Sequence, residues 1–275
     1  ESYDAGNMAN TFQVKSKHSL ESLAAENADA FTTVSNITAN ECKQFFGKQP
    51  DVITINGFEE KFVPEGRSFI AKRKKARKKA IDIAKKISGK NITDDAVLVI
   101  NSGRYEFRNK GIDIFIDALE RLNYDDTINK DIVAFITVPG AHMEPYKLFT
   151  EKGAAVENKF LTHKIHYPEN DPILVHAYHK QLNADGAKVT LVFVPAYLNG
   201  SDGVVNLEYY DFLIGFDLSV FPSYYEPWGY TPLESIAFKI PTITTAYAGF
   251  GHWADENFSL EEKSVLVIKR REDGD

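Results

Sequence analysis

Cysteine is almost missing: Cys42 is the only one in 275 residues. One thiol excludes an internal disulfide framework and any zinc site built from cysteines, and it fits a reducing compartment. A surplus of positive charge is missing too. The net charge of -7 argues against a general nucleic-acid binder, which needs a net basic face toward phosphate. No apolar run approaches a membrane span, and the N-terminus lacks the charged-then-apolar layout of a signal peptide. The expectation is a cytoplasmic protein with no nucleic-acid and no membrane partner. The seven histidines include two pairs spaced by three, His163 with His166 and His176 with His179. No carboxylate motif stands beside them to complete a metal site, so none is expected. No Ser-His-Asp or Cys-His arrangement is recognisable. An initiator Met is also lacking, and the chain stops in Arg270-Arg271-Glu272-Asp273 just after an apolar run. A finished α/β domain would cover that run with a further helix, so both ends read as cuts in a longer protein.

What is present is a core. Hydrophobic residues make up 43% of the chain, enough for one large α/β domain or one domain plus part of another. Continuous apolar runs of β type fall at Val97 to Ile100, Val133 to Val138, Val189 to Val194, Leu218 to Phe221, Thr242 to Thr245 and Val265 to Ile268. Helical stretches lie between most of them: Ile112 to Leu122, Pro172 to Leu182, Leu207 to Gly215 and Pro232 to Phe238. Such alternation predicts a doubly wound parallel sheet of six strands, covered on both faces. The stretch 139–170 has little periodicity and stays unplaced. Upstream, residues 1–16 show no clear period. Ser19 to Asn27 and Asn36 to Phe46 read as helices, and Ala30 to Ser35 and Val52 to Ile55 as short strands. This βαβ piece is too small for a domain, which puts a boundary near Gly57 to Pro64. From Ile70 to Ile87 runs a strongly basic helix with a narrow apolar stripe of Ile70, Ala80, Ile81, Ala84 and Ile87. It reads either as a solvated face or as a surface for anions or a phosphorylated polysaccharide, and no aromatic interrupts it to stack on a base.

Two loops carry chemistry. The first is Ser102-Gly103-Arg104-Tyr105-Glu106-Phe107-Arg108-Asn109-Lys110-Gly111, between a strand end and a helix start. Three cations and two glycines there suit an anion, with Arg104 able to grip phosphate bidentately and Lys110 acting as a point charge. The plain alternative is that they pair with Glu106, Asp113 or Asp117. The second loop is Val220 to Glu234, V-F-P-S-Y-Y-E-P-W-G-Y-T-P-L-E, which leaves a strand at Pro222 and re-enters helix at Thr231-Pro232-Leu233-Glu234. Thr231 as N-cap, Pro232 at the first position and Glu234 three residues on spell a capping box. Glu226 and Glu234 thus converge on the edge where open α/β sheets bind ligands. The plain readings are a capping carboxylate for Glu234 and a solvated loop carboxylate for Glu226.

The string S-Y-Y-E-P-W-G-Y-T-P-x-E resembles the active-site motif of glycogen synthases of the animal and fungal type, retaining glycosyltransferases with two Rossmann-like domains (GT-B) facing across a cleft. G-R-Y-E-x-x-N-K-G, from Gly103 to Gly111, is similar to the segment whose Arg and Lys hold the nucleotide diphosphate. A-D-A-F-T-T-V-S followed by N-G resembles the end of that family's N-terminal domain. The resemblance implies that residues 1–60 are the end of an N-terminal domain with its crossover. Residues 61–275 then form a Rossmann-like nucleotide-sugar-binding domain, truncated at its C-terminus. It implies transfer of glucose from UDP-glucose to the end of an α-1,4-glucan (glycogen), without a metal. By position, Arg104 and Lys110 would hold the diphosphate, with Arg108 a lesser contributor. Glu226 would lie near the donor sugar, as nucleophile or electrostatic stabiliser, and Glu234 would bind the ribose hydroxyls. Tyr209 would stack on uracil and Tyr197 lie close to the base; on physics alone, both more often simply pack. Backbone around Trp228, Gly229, Tyr230 and Thr231 would approach sugar and phosphates, Gly229 permitting close contact.

The resemblance stops short in places. The domain with the family's catalytic His and Arg is lacking, so this chain alone is expected to bind donor weakly and catalyse little. The C-terminal arginine cluster that senses glucose 6-phosphate is lacking too, and Asp217 stands where that regulation uses a histidine. The 139–170 stretch is shorter than the eukaryotic insertion, so a tetramer built on it does not carry over and a homo-oligomer stays open. Two rival readings remain: another retaining GT-B enzyme, such as a sucrose or trehalose-phosphate synthase, and a non-catalytic nucleotide- or glucan-binding module.

Overall fold

The computed structural model describes residues 4–259 and 264–269, so Arg270 to Asp273 lie outside the described residues. The chain opens with two helices, α1 (Ala5–Thr11) and α2 (Lys15–Asn27). A small parallel βαβ unit follows: β1 (Thr32–Thr33), α3 (Asn36–Phe46) and β2 (Val52–Ile53). Residues 1–16, without a readable period, therefore hold all of one helix and the start of a second. Asp4 caps α1 by accepting from the Asn7 amide at 2.7 Å. After a 3-10 turn at Glu60–Phe62 comes the long basic helix α4 (Gly66–Ser88).

The main sheet then forms from β3 (Val97–Ser102), β4 (Ile132–Thr137), β7 (Val189–Phe193), β8 (Leu218–Phe221), β9 (Thr242–Thr245) and β10 (Val265–Ile268). Its order is β10-β9-β8-β3-β4-β7, and every pairing is parallel. Between β4 and β7 lie β5 (His142–Pro145), α6 (Lys147–Thr150) and β6 (His163–Ile165). β5 and β6 pair antiparallel, and together these elements fill the stretch that had no pattern. The covering helices are α5 (Ile112–Asn123), α7 (Pro172–His179), α8 (Tyr209–Leu213), α9 (Tyr230–Ala237) and α10 (Gly249–Asn257). Their bounds depart from expectation at α7, which stops at His179 rather than Leu182, at the shorter α8, and at α10, which the pattern did not announce.

The central run β3, β4 and β7 is largely apolar because both its faces are buried, whereas β9 is threonine-rich and the edge strand β10 leaves Leu266 and Ile268 exposed. Leu98, Ile100, Val133, Phe135 and Val192 point to the layer holding α4 and α8. Val99, Ala134, Ile136, Leu191 and Phe193 point to the layer of α5 and α7. Phe135 sits edge-on to Phe212 and Phe216, at 5.3 and 5.6 Å. A third cluster joins Trp228, Phe250, Ala254 and Val265 to Val34 of the N-terminal unit.

The basic helix is neither wholly solvated nor wholly free for anions. Ala76, Ala80, Ile81, Ile83, Ala84 and Ile87 form its buried stripe, whereas Ile70, expected in that stripe, is 68% exposed. Arg73 and Arg77 both clasp Asp217 at 2.7 and 2.6 Å, and donate to the carbonyls of Ile214, Phe216 and Ala96. Asp217 also accepts the Leu98 amide at 2.9 Å, which ties the helix to the start of β3. Asp217→Ala strands two half-buried guanidinium groups and a strand amide. We expect a loss of about 2 kcal/mol or more in urea unfolding; an unchanged midpoint would show that the clasp does not hold the helix.

Candidate functional site

β3 and β8 are neighbours yet share only the register Val99 with Leu218 and Ile100 with Ser219 before they part. This is where the strand order reverses, the place where doubly wound sheets open a crevice. Asn101 bridges the parting strands by donating to the Val220 carbonyl at 2.8 Å. The loops that leave both strands meet again just beyond. Gly111 turns at φ +63°, and a Cβ there would stand 2.1 Å from the Pro222 carbonyl oxygen, so only glycine lets the two backbones touch. The Tyr224 amide donates to the Asn109 carbonyl at 2.8 Å across the same seam.

A cleft of about 800 Å³ opens there, lined among others by Arg104, Lys110, Tyr197, Glu226 and Gly229 to Thr231. The buried carboxylate of Glu226 contacts the Lys110 ammonium directly. Burial holds the proton affinity of Lys110 below its ordinary value; the charge of Glu106 opposes this and that of Arg104 adds to it. Glu226 is pinned through its backbone as well: its amide donates to the Tyr247 carbonyl and its carbonyl accepts from Gly249, both at 3.1 Å. Its Oε2 lies where a Cβ on Gly229 would be, at 2.6 Å, so Gly229 (φ +101°) is needed for the carboxylate to fit. Arg104 reaches outward, 77% exposed, with Nε 3.0 Å from Glu106. Arg108 turns away onto Asp113 at 2.7 Å and does not line the cleft. Two of the three loop cations thus take the carboxylate partners foreseen as the plain alternative, and Lys110 takes one that was not.

The capping box does not form. Helix α9 begins at Tyr230 with Gly229 as N-cap and without a side-chain cap, so Thr231 lies inside the first turn. Glu234 instead accepts from the Tyr210 hydroxyl at 2.8 Å. Gly229, in its left-handed conformation, lets the helix start two residues earlier than Thr-Pro-x-Glu suggests, which frees Glu234 to face α8. It lies behind the cleft wall rather than on it. Trp228 lines the cleft as part of the same segment, with its ring buried against Phe250 and Trp253.

A side pocket of about 220 Å³ continues from the cleft, lined by Ser102, Thr137, Tyr197, Tyr209 and Thr231 among others. Tyr209 is held by its hydroxyl to Ser102 at 2.7 Å, while Tyr197, 73% exposed, forms the outer rim. Burial, then the charge of Glu234, pushes the Tyr209 phenol up, so it stays neutral. Sequence reasoning missed Tyr225, whose hydroxyl leaves the cleft wall to meet Glu41 on α3 at 2.7 Å. It also missed Val34 and Asn56, which bring the N-terminal unit to the cleft.

A parallel sheet in this order, with cations and a helix N-terminus gathered where its order reverses, defines a doubly wound α/β domain with an anion-suited cleft at its switch point. Its fold is shared with sucrose-phosphate synthase from Thermosynechococcus elongatus, at a TM-score of 0.55 and 17% identity over 93% of this chain and 49% of that one. More particularly, the chain belongs to the glycogen synthase family, whose model matches residues 1–161 and 158–275. It is 29% identical to glycogen [starch] synthase isoform 2 of Saccharomyces cerevisiae, over 98% of this chain and 49% of that protein. It is 29% identical to the Caenorhabditis elegans enzyme over 98% and 50%, and 28% identical to the mouse liver enzyme over 98% and 47%. The chain spans about half the length of the curated relatives it matches.

Burial raises the Glu234 carboxyl above its ordinary value, partly offset by the Tyr210 hydrogen bond. The folded state then holds that proton more tightly than the unfolded chain does. Stability from this group is present at low pH and is lost as pH rises from about 4 through the raised value. Glu234→Gln cannot ionise, so its melting temperature should gain on the parent's between about pH 4 and 7. Parallel melting curves across that range would contradict the shift.

Proposed function

We propose that the full-length protein transfers glucose from UDP-glucose to the non-reducing end of an α-1,4-glucan, with the anomeric configuration retained, and that this chain supplies the donor half of the cleft. The observation that carries the reading is the meeting of Lys110, Glu226 and the N-terminus of α9 at one rim, with Arg104 beside them. The bond from the sugar C1 to the phosphate oxygen breaks, the glucan 4-hydroxyl oxygen bonds to C1 in its place, and the hydroxyl proton passes to the departing phosphate. Negative charge therefore grows on the departing UDP. Lys110 exchanges Glu226 for the diphosphate, Arg104 swings from Glu106 to it, and the free amides of Gly229 to Thr231 lie at the positive end of α9. Released from Lys110, the Glu226 carboxylate faces the positive character that develops at C1. Tyr209 and Tyr197 take the base in the side pocket; Glu234, which accepts from Tyr210 off the cleft lining, would have to turn from Tyr210 to meet the ribose hydroxyls. The reading expects no metal, since protein cations and amides do this work, and it places the protein in the cytoplasm with the nucleotide sugar and glucan as its partners. Among the described residues no helix is long and apolar enough to cross a membrane.

Two tests bear on it. In the full-length enzyme, Glu226→Ala should abolish glucan elongation from labelled UDP-glucose and Lys110→Ala should lower kcat by about 10²-fold or more. EDTA should leave the parent rate unchanged. Retained elongation in Glu226→Ala would refute its role. For the isolated chain, calorimetric titration with UDP should show binding that Arg104→Ala weakens about tenfold, the size of one charge-assisted contact. Equal affinity in the variant would remove Arg104 from the site.

A further inference from the structure

Glu226 is flanked by a residue whose hydroxyl points out of the donor domain altogether. Tyr225 presents its ring to the cleft, yet its hydroxyl donates to Glu41 Oε2 at 2.7 Å, and Glu41 sits on α3 of the N-terminal unit. The same unit touches α10, which backs the motif loop, at two further points. Gly249, whose amide holds the Glu226 carbonyl, packs so closely on Ser35 that an added Cβ would be 2.7 Å from the serine Cβ and 2.2 Å from the Pro227 carbonyl oxygen. Asn36, beside the α3 cap, reaches Glu256 of α10 at 3.4 Å. Ser35 and Asn36 bear on α10 behind the loop; Tyr225 bears on Glu226 through one peptide bond.

We propose that Tyr225 and Glu41 form a strut that sets the position of Glu226 from the N-terminal unit, making Tyr225 a positioning residue for glucosyl transfer. The carboxylate of Glu226 has no side-chain hydrogen-bond donor from its own loop among the described contacts; its fixed points are its backbone and Lys110. Once a diphosphate draws Lys110 away, the backbone alone aims it. A rotation of the 224–226 peptides then moves the carboxylate directly. The Tyr225 hydroxyl restrains that rotation because its partner is charged and lies on a separate rigid element. Burial, the hydrogen bond and the charge of Glu41 all raise the Tyr225 phenol, so it remains a donor throughout the neutral range. The strut also links two parts of the chain that must hold a common geometry if one carries donor contacts and the other leads to the acceptor side.

This inference rests on the function proposed above, and the experiment separates the two. In the full-length enzyme, Tyr225→Phe, Glu41→Gln and the double variant are compared for kcat and for KM of UDP-glucose, with thermal melting beside them. Tyr225→Phe should lower kcat about tenfold while KM stays within about twofold, the scale of one lost charge-assisted hydrogen bond. Glu41→Gln keeps an acceptor without charge and should lose less. The double variant should be no worse than Tyr225→Phe alone, because one contact is lost only once. Additive losses, or a melting shift with no change in kcat, overturn the strut. A parent enzyme that elongates glucan normally alongside unaffected variants overturns the strut alone. A parent that transfers nothing from UDP-glucose overturns the functional reading, and the strut with it.

Discussion

The contact between Lys110 and Glu226 is the interaction on which the site depends. Each is a charge taken out of water, and each is tolerated because the other is there. Their meeting is not a local matter. It needs β3 and β8 to part after two residues, Gly111 to let one loop lie on the other's carbonyl, and Gly229 to leave room for a carboxylate oxygen. Backbone geometry at three separated glycine or strand-end positions is thus specified before either side chain can act. The same pair explains why the site is stable without ligand and responsive to one. On the proposed function, a diphosphate would offer Lys110 a more highly charged partner than a single carboxylate, and Glu226 would then be released toward whatever is attached to that diphosphate.

The sheet was legible because most of its strands are buried on both faces and read as apolar or β-branched runs, with the edge strand β10 open on one face. All six strands lie where those runs fall, and the layers are covered as the alternation implied. What escaped notice was held together by other means. The hairpin of β5 and β6 is short, with His142 and Glu144 alternating toward solvent, so no apolar run marks it. Helix α10 starts Gly-Phe-Gly-His, a poor helical signature, and exists because its glycines let it lie against Ser35, Pro227 and Thr245. Packing, not propensity, sets that helix.

At the site the gap between pattern and geometry is sharper. Thr231-Pro232-Leu233-Glu234 satisfies every sequence rule for a capping box, and the box is not formed. A left-handed glycine two residues upstream starts the helix early, and a tyrosine hydroxyl on another helix claims the glutamate. Long-range partners of this kind leave no trace in local spacing. The same holds for Tyr225, which looked like one more aromatic in an aromatic loop until Glu41, far earlier in the chain, was found against it. Arg104, Lys110 and Glu226, by contrast, were legible because strand ends and helix starts bracket their loops, and the order of the sheet leaves those loops nowhere else to go.

Charge placement then bears on selectivity. Helix α4 holds ten of the 32 cations against one acid, so the remainder of the chain is far more acidic than the net -7 conveys. An anionic donor is therefore approached by a largely negative molecule, and the cations of α4 border a different groove. At physiological salt, fields beyond about 8 Å are screened, so attraction must come from charges at the cleft itself. Those charges are already matched: Lys110 by Glu226 and Arg104 by Glu106. A ligand with a single negative charge would gain at Lys110 only about what the displaced carboxylate gives up. On the proposed function, a diphosphate would reach Lys110, Arg104 and the amides at the start of α9 together, where each displaced carboxylate meets a single cation. A cleft whose cations are already paired would in this way discriminate among anions by how many contacts they make at once rather than by charge alone.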